Sequence, residues 1–204
     1  MRAALKCLSF CPLSLSSLAH TLLLGNGITP NWTYFTLHGL WPERNDGTYP
    51  QTCTNEKFNP SAVASITPQL NKYWVSLNGP SATFWAHEYE KHGTCAEDVY
   101  PGELSFMNAT LGLRSKFDVT LALQAAGITP SASATFTPAQ FQAAVTKAFG
   151  YPVLLSCDSS GNIDGAVVCV SKKGEAQSCG SVHYGSCSAS QLKLLPAQSM
   201  PQLQ

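Results

Sequence analysis

The stretch FWAHEYEKHGTC, residues 84–95, packs His87, Glu88, Glu90, Lys91 and His92 together and closes on Gly-Thr-Cys. Its pattern predicts a helix over 82–92, stopped by Gly93. At about 100° per residue, with His87 as zero, Lys91 falls at about 40°, Glu88 at about 100° and His92 at about 140°. Four ionisable groups then share one side, while Tyr89 and Glu90 point elsewhere. Such a cluster can be a metal site, a solvated ion-pair helix or an acid–base machine.

The metal reading is the weakest. His-Glu-x-x-His binds zinc because its second histidine stands four residues on, directly above the first. Lys91 holds that position here, and a protonated amine has no lone pair to give. His92 lies too far round the helix to share an ion with His87. The ion-pair reading needs only Glu88 with His92 and Glu88 with Lys91, four and three residues apart.

The acid–base reading needs a second group facing the first, and FTLHGLWP, residues 35–42, offers one. Residues 32–38 are aromatic and β-branched and read as a buried, central strand, with His38 at its end and a loop running on to Cys53. Cys53 follows this segment and Cys95 closes the other. If the two pair, they clamp the His38 strand to the His92 helix. Two facing imidazoles with a lysine and a glutamate beside them are the parts for phosphoryl transfer.

The rest of the chain sets limits. Its 204 residues suit one core, and charged residues are only 12%, about half the globular norm of roughly 25%. Formal net charge is zero, so no broad basic field exists to grip duplex DNA. A nucleic-acid partner would be held locally, by a few groups and by stacking. Eight cysteines without a Cys-x-x-Cys pair point to disulfides in an oxidising compartment. Two sequons, Asn31-Trp32-Thr33 and Asn108-Ala109-Thr110, agree with a glycoprotein of the secretory pathway. Residues 1–27 read as a signal peptide or an aberrant leader, too broken for a membrane span. Its removal would leave six cysteines, a number that pairs completely. The main domain is expected over 28–195, with a tail over 196–204.

Partial helix is expected over 60–77, with Pro68 starting or breaking a segment, and more helix over 103–126. Thr137, Pro138 and Gln140 form a capping-box start for a helix ending at Phe149–Gly150. Val153–Cys157 and Ala166–Val170 read as strands around a turn at 159–162. Helices in the middle and strands at both ends give an α+β domain.

Together, FTLHGLWP and FWAHEYEKHGTC resemble the two active-site segments of the acid ribonucleases of the T2 family, which includes plant S-like and self-incompatibility enzymes. The resemblance spans about residues 32–190. It implies an endoribonuclease that cleaves single-stranded RNA through a 2′,3′-cyclic phosphate, with no cofactor and no metal. It implies His92 as the base, His38 as the acid, and Lys91 and Glu88 beside the transition state. His87 falls at a phosphate-contacting position, and Trp41, Glu43 and Tyr49 at base-binding ones. Bridges Cys53–Cys95, Cys157–Cys187 and Cys169–Cys179 follow from the same resemblance. The expected protein is a secreted or vacuolar monomer without a membrane partner. Its fold is expected to be a central antiparallel sheet with helices packed on it, stapled by disulfides. The family's Gln-Trp-Pro-like first strand has no counterpart in residues 1–31, so the first strand is expected to be missing. That gap supports a second reading, an inactive ribonuclease-fold binding or storage protein.

Overall fold

A computed structural model describes the backbone of residues 4–11 and, in full, residues 34–44, 46–76 and 79–196. Strands come from both ends of the chain and helices from its middle, the α+β order expected. The described residues form four strands, β1 (Ala4–Cys11), β2 (Thr36–Glu43), β3 (Leu154–Cys157) and β4 (Ile163–Val168). They form one antiparallel sheet in the order β2-β1-β4-β3.

This order corrects the expectation of a missing first strand. Ala4–Cys11, inside the stretch read as a leader, pairs with β2 on one side and β4 on the other. A signal-peptide core and an interior strand are both short apolar runs, so the Gln-Trp-Pro motif was the wrong marker. The remainder of the expected leader, the sequon at 31–33 and most of the tail lie outside the described residues.

β2 also runs further than expected, because Gly39 to Glu43 continue the strand instead of starting a loop. It is an edge strand, not a central one. Pro42, which has no N–H to donate, is tolerated there beside a slip in register between Leu5 and Cys7. Side chains take up backbone groups along its start. Phe35 N donates to Thr120 Oγ1 at 2.8 Å, the Arg114 guanidinium donates to Phe35 O at 3.3 Å, and Trp74 Nε1 donates to His38 O at 2.8 Å.

Among the described residues there are five α-helices, of which α3 packs on β1 and β2. A 3-10 turn over Pro60–Ile66 leads into α1 (Thr67–Tyr73), with Pro68 in its first turn. Next come α2 (Ser81–Lys91), α3 (Gly102–Lys116) and α4 (Val119–Ala125). The helix expected over 103–126 is divided in two, because Asp118 accepts from Leu121 N and starts a new helix. α5 (Pro138–Phe149) carries the capping box, with Thr137 and Gln140 bonding reciprocally and Gly150 left-handed at its end. Phe35, just before β2, and Leu37 and Leu40 within it are buried with Trp74, Trp85, Tyr89 and Phe106 from the helical side. Bridges join Cys53–Cys95, Cys157–Cys187 and Cys169–Cys179, the pairing that the resemblance implies.

Candidate active site

His38 is aimed by a defect in the sheet. The β1–β2 register slips between Ser9 and Phe10, so His38 has no partner across the ladder. Residues three apart on a regular strand face opposite ways, and a bulge changes that. His38 and Trp41 therefore share a face, with ring centroids 4.8 Å apart, edge to face. The Trp74 indole holds the His38 carbonyl, and Trp85 Nε1 in turn donates to Trp74 O at 2.6 Å. Phe84 flanks the imidazole from the first half of α2, at 5.7 Å.

His92 caps α2 instead of belonging to it. Its N–H donates to Glu88 O at 3.0 Å, and the chain then enters a 3-10 turn at Gly93–Cys95. Gly93 is required there, since a Cβ would run into the Tyr89 ring and close on Phe106. The segment after β2 is tied to the end of α2 and to this turn three ways: Thr52 N donates to Lys91 O at 2.8 Å, Cys53 N donates to Thr94 Oγ1 at 3.1 Å, and Cys53 is bonded to Cys95. The Trp41 and His92 rings come within 5.6 Å. One indole thus packs against both imidazoles.

Glu88 points inward and is 1% exposed. Its Oε2 accepts from Trp41 Nε1 at 2.9 Å, and its Oε1 lies 3.8 Å from His38 Nε2. His87, adjacent in sequence, is exposed instead. The structure therefore splits the side of the helix that the sequence groups together. Glu88 and His92 are buried, Lys91 is half-buried, and His87 is exposed.

Burial and crowding of positive groups set the charges. Burial first, then His87 and Lys91, hold His38 down at about 4. Burial, then Lys91, His87 and His38, hold His92 at about 3, and its buried Nδ1 has no hydrogen-bond partner among the described residues. Burial raises the Glu88 carboxyl to about 7, against the pull of the Trp41 hydrogen bond and of Lys91. Two neutral imidazoles, a lysine and a nearby histidine make a locally basic pocket in a chain of zero net charge. An anion bound there relieves the repulsion that depresses both imidazoles.

A cavity of about 430 Å³ opens beside Lys91 and His92. Trp41 forms one wall, and buried Glu43 and exposed Tyr49 line it further out. Gly47 and His183 complete the lining. His183 escapes sequence reading because no motif surrounds it; its one signal is a position between Cys179 and Cys187. Among the described residues, no group of three or more His, Cys, Asp or Glu is placed to hold a metal ion.

Residues 9–179 match the Ribonuclease T2 family. Over 158 residues the chain is 39% identical to Ribonuclease DdI of Dictyostelium discoideum, covering 76% of this chain and 70% of that protein. Over 134 residues it is 37% identical to Extracellular ribonuclease LE of Solanum lycopersicum, covering 63% and 58%. The solved structure of RNase NT in complex with 5′-AMP matches with a TM-score of 0.84 at 26% identity, over 96% of this chain and 100% of that one. The chain belongs to the Ribonuclease T2 family of RNA-cleaving enzymes.

Proposed function

We propose that the protein cleaves single-stranded RNA by transphosphorylation. His92 takes the proton of a ribose 2′-hydroxyl, and the 2′-oxygen attacks the adjacent phosphorus. The bond to the 5′-oxygen breaks as His38 protonates that oxygen, leaving a 2′,3′-cyclic phosphate. In the second step the roles reverse: His38 takes a proton from water, and His92 protonates the departing 2′-oxygen to give a 3′-phosphate. The observation that carries this reading is that the His38 and His92 rings both pack against Trp41, with Lys91 adjoining His92.

Lys91 offsets the charge that builds on the non-bridging oxygens. Glu88, uncharged below about 7, adds no negative charge against them and holds Trp41 in place. His87, exposed at the rim, contacts phosphate. Trp41 and Tyr49 stack a base that Glu43 also contacts. RNA supplies its own nucleophile, so the reaction asks for no metal or cofactor, and the protein acts as a monomer.

Three disulfides and a relative named as an extracellular ribonuclease support a place in the secretory pathway, extracellular or vacuolar. No described helix is long and apolar enough to cross a membrane. The inactive binding or storage reading loses its ground, because β1 fills the place of the strand expected to be missing.

Incubation of the purified protein with single-stranded RNA near pH 5, with and without chelator, tests the proposal. Equal cleavage in both is expected. Intact RNA in both overturns the reading, and cleavage lost only with chelator overturns its metal independence.

A further inference from the structure

One wall of the cavity comes from the loop at 180–186, held at its two ends by different bridges. Cys179 is bonded to Cys169 after β4, and Cys187 to Cys157 on β3. Within the loop, Val182 is buried against Val167, Cys169 and Cys179. The Tyr184 hydroxyl occupies the space that a side chain at Gly165 of β4 would need, and Gly185 rests directly on Ser156 of β3. Across the cavity mouth, Gly47 takes a left-handed φ of 83°, and a Cβ there would stand 3.0 Å from the carbonyl oxygen of Ser181. The residues on both sides of His183 are therefore anchored to the sheet. His183 itself is exposed and lines the cavity together with Trp41.

A loop fixed this way spares binding the cost of ordering its backbone. A neutral imidazole always carries one N–H donor, whichever tautomer it adopts. Both purines offer the N7 acceptor on one edge, while cytosine presents an amino donor there. Uracil has a keto acceptor on that edge but a single ring, with less face to stack on an indole. Building on the reading of the cavity as a base site, we propose that His183 is a specificity-determining residue. It donates to the N7 edge of a purine stacked on Trp41, and it selects purine over pyrimidine on the 5′ side of the cut.

Calorimetric binding of the four nucleoside 3′-monophosphates to wild type, His183→Ala and His183→Gln tests this, with cleavage of ApU, GpU, CpU and UpU in parallel. Wild type should favour the two purines. His183→Ala should lose about tenfold on both purines and less than about twofold on both pyrimidines, and His183→Gln, which keeps a donor, should recover most of the loss. A uniform loss over all four nucleotides, or none, overturns the proposal. Purine-selective loss in a protein that cleaves nothing would refute the ribonuclease reading and leave this one standing. Cleavage with unchanged base preference in His183→Ala would do the reverse.

Discussion

The carboxylate of Glu88 fills the space that any side chain at position 39 would need. β2 and α2 meet at this point, backbone against carboxylate. From there Glu88 accepts from Trp41 and stands 3.8 Å from the His38 imidazole, so the orientation of both rings passes through it. Gly39→Ala should push the carboxylate out of its place, costing about 1–3 kcal/mol of stability and at least about tenfold in turnover. Chemical denaturation and RNA cleavage measure the two losses; wild-type values in both would mean that the contact gives way at no cost.

The imidazole pair should act as a unit. His38→Ala or His92→Ala should each lower the cleavage rate by about 10²–10⁴ with the fold retained. The double variant should be little worse than either single one. Near-normal turnover in His92→Ala would remove it from the chemistry.

Charge on Lys91 should set the pH at which the pair works. The free protein reacts when His92 is neutral and His38 is protonated, and both groups are held low, at about 3 and about 4. Removing the lysine charge makes either imidazolium easier to form, so both values rise. Lys91→Met should therefore move both limbs of the kcat/KM profile to higher pH while lowering its height. A lower profile at an unchanged position would place Lys91 outside the electrostatics of the pair.

Glu88 gives a stability test with a definite sign. Its folded value of about 7 lies above the ordinary 4.5, so the folded state binds the extra proton between those limits. That raised value favours folding at low pH and penalises it as pH rises through 7. Glu88→Gln keeps an oxygen for Trp41 and never ionises. It should match wild type in melting temperature at pH 5 and exceed it at pH 8; a variant less stable at pH 8 would mean that the ionised carboxylate is welcome there.

What the sequence made legible was whatever local chemistry dictates. Thr137, Pro138 and Gln140 define the start of α5 through backbone groups within one turn, and the structure follows them. The segments around His38 and His92 stood out because ionisable residues crowd into 84–95 and a cysteine follows each segment. β1 did not stand out, because a short apolar run carrying a lysine has no motif that marks it as a strand, and its partners β2 and β4 lie far along the chain. The bulge that turns His38 beside Trp41 depends on the register against β1, which no single strand encodes. His87 and Glu88 part company because the helix has one packed face, a fact of tertiary structure. His183 reaches the cavity only through two bridges and the glycines beneath its loop.

The products formed from a defined oligoribonucleotide, and from its 2′-deoxy counterpart, test the central claim most directly. Mass spectrometry over the time course should show 2′,3′-cyclic phosphate ends appearing first and converting to 3′-phosphates, with the 2′-deoxy strand left intact. Ends bearing 5′-phosphate and 3′-hydroxyl, or cutting of the 2′-deoxy strand, would contradict the transfer from His38 and His92 through the ribose 2′-oxygen.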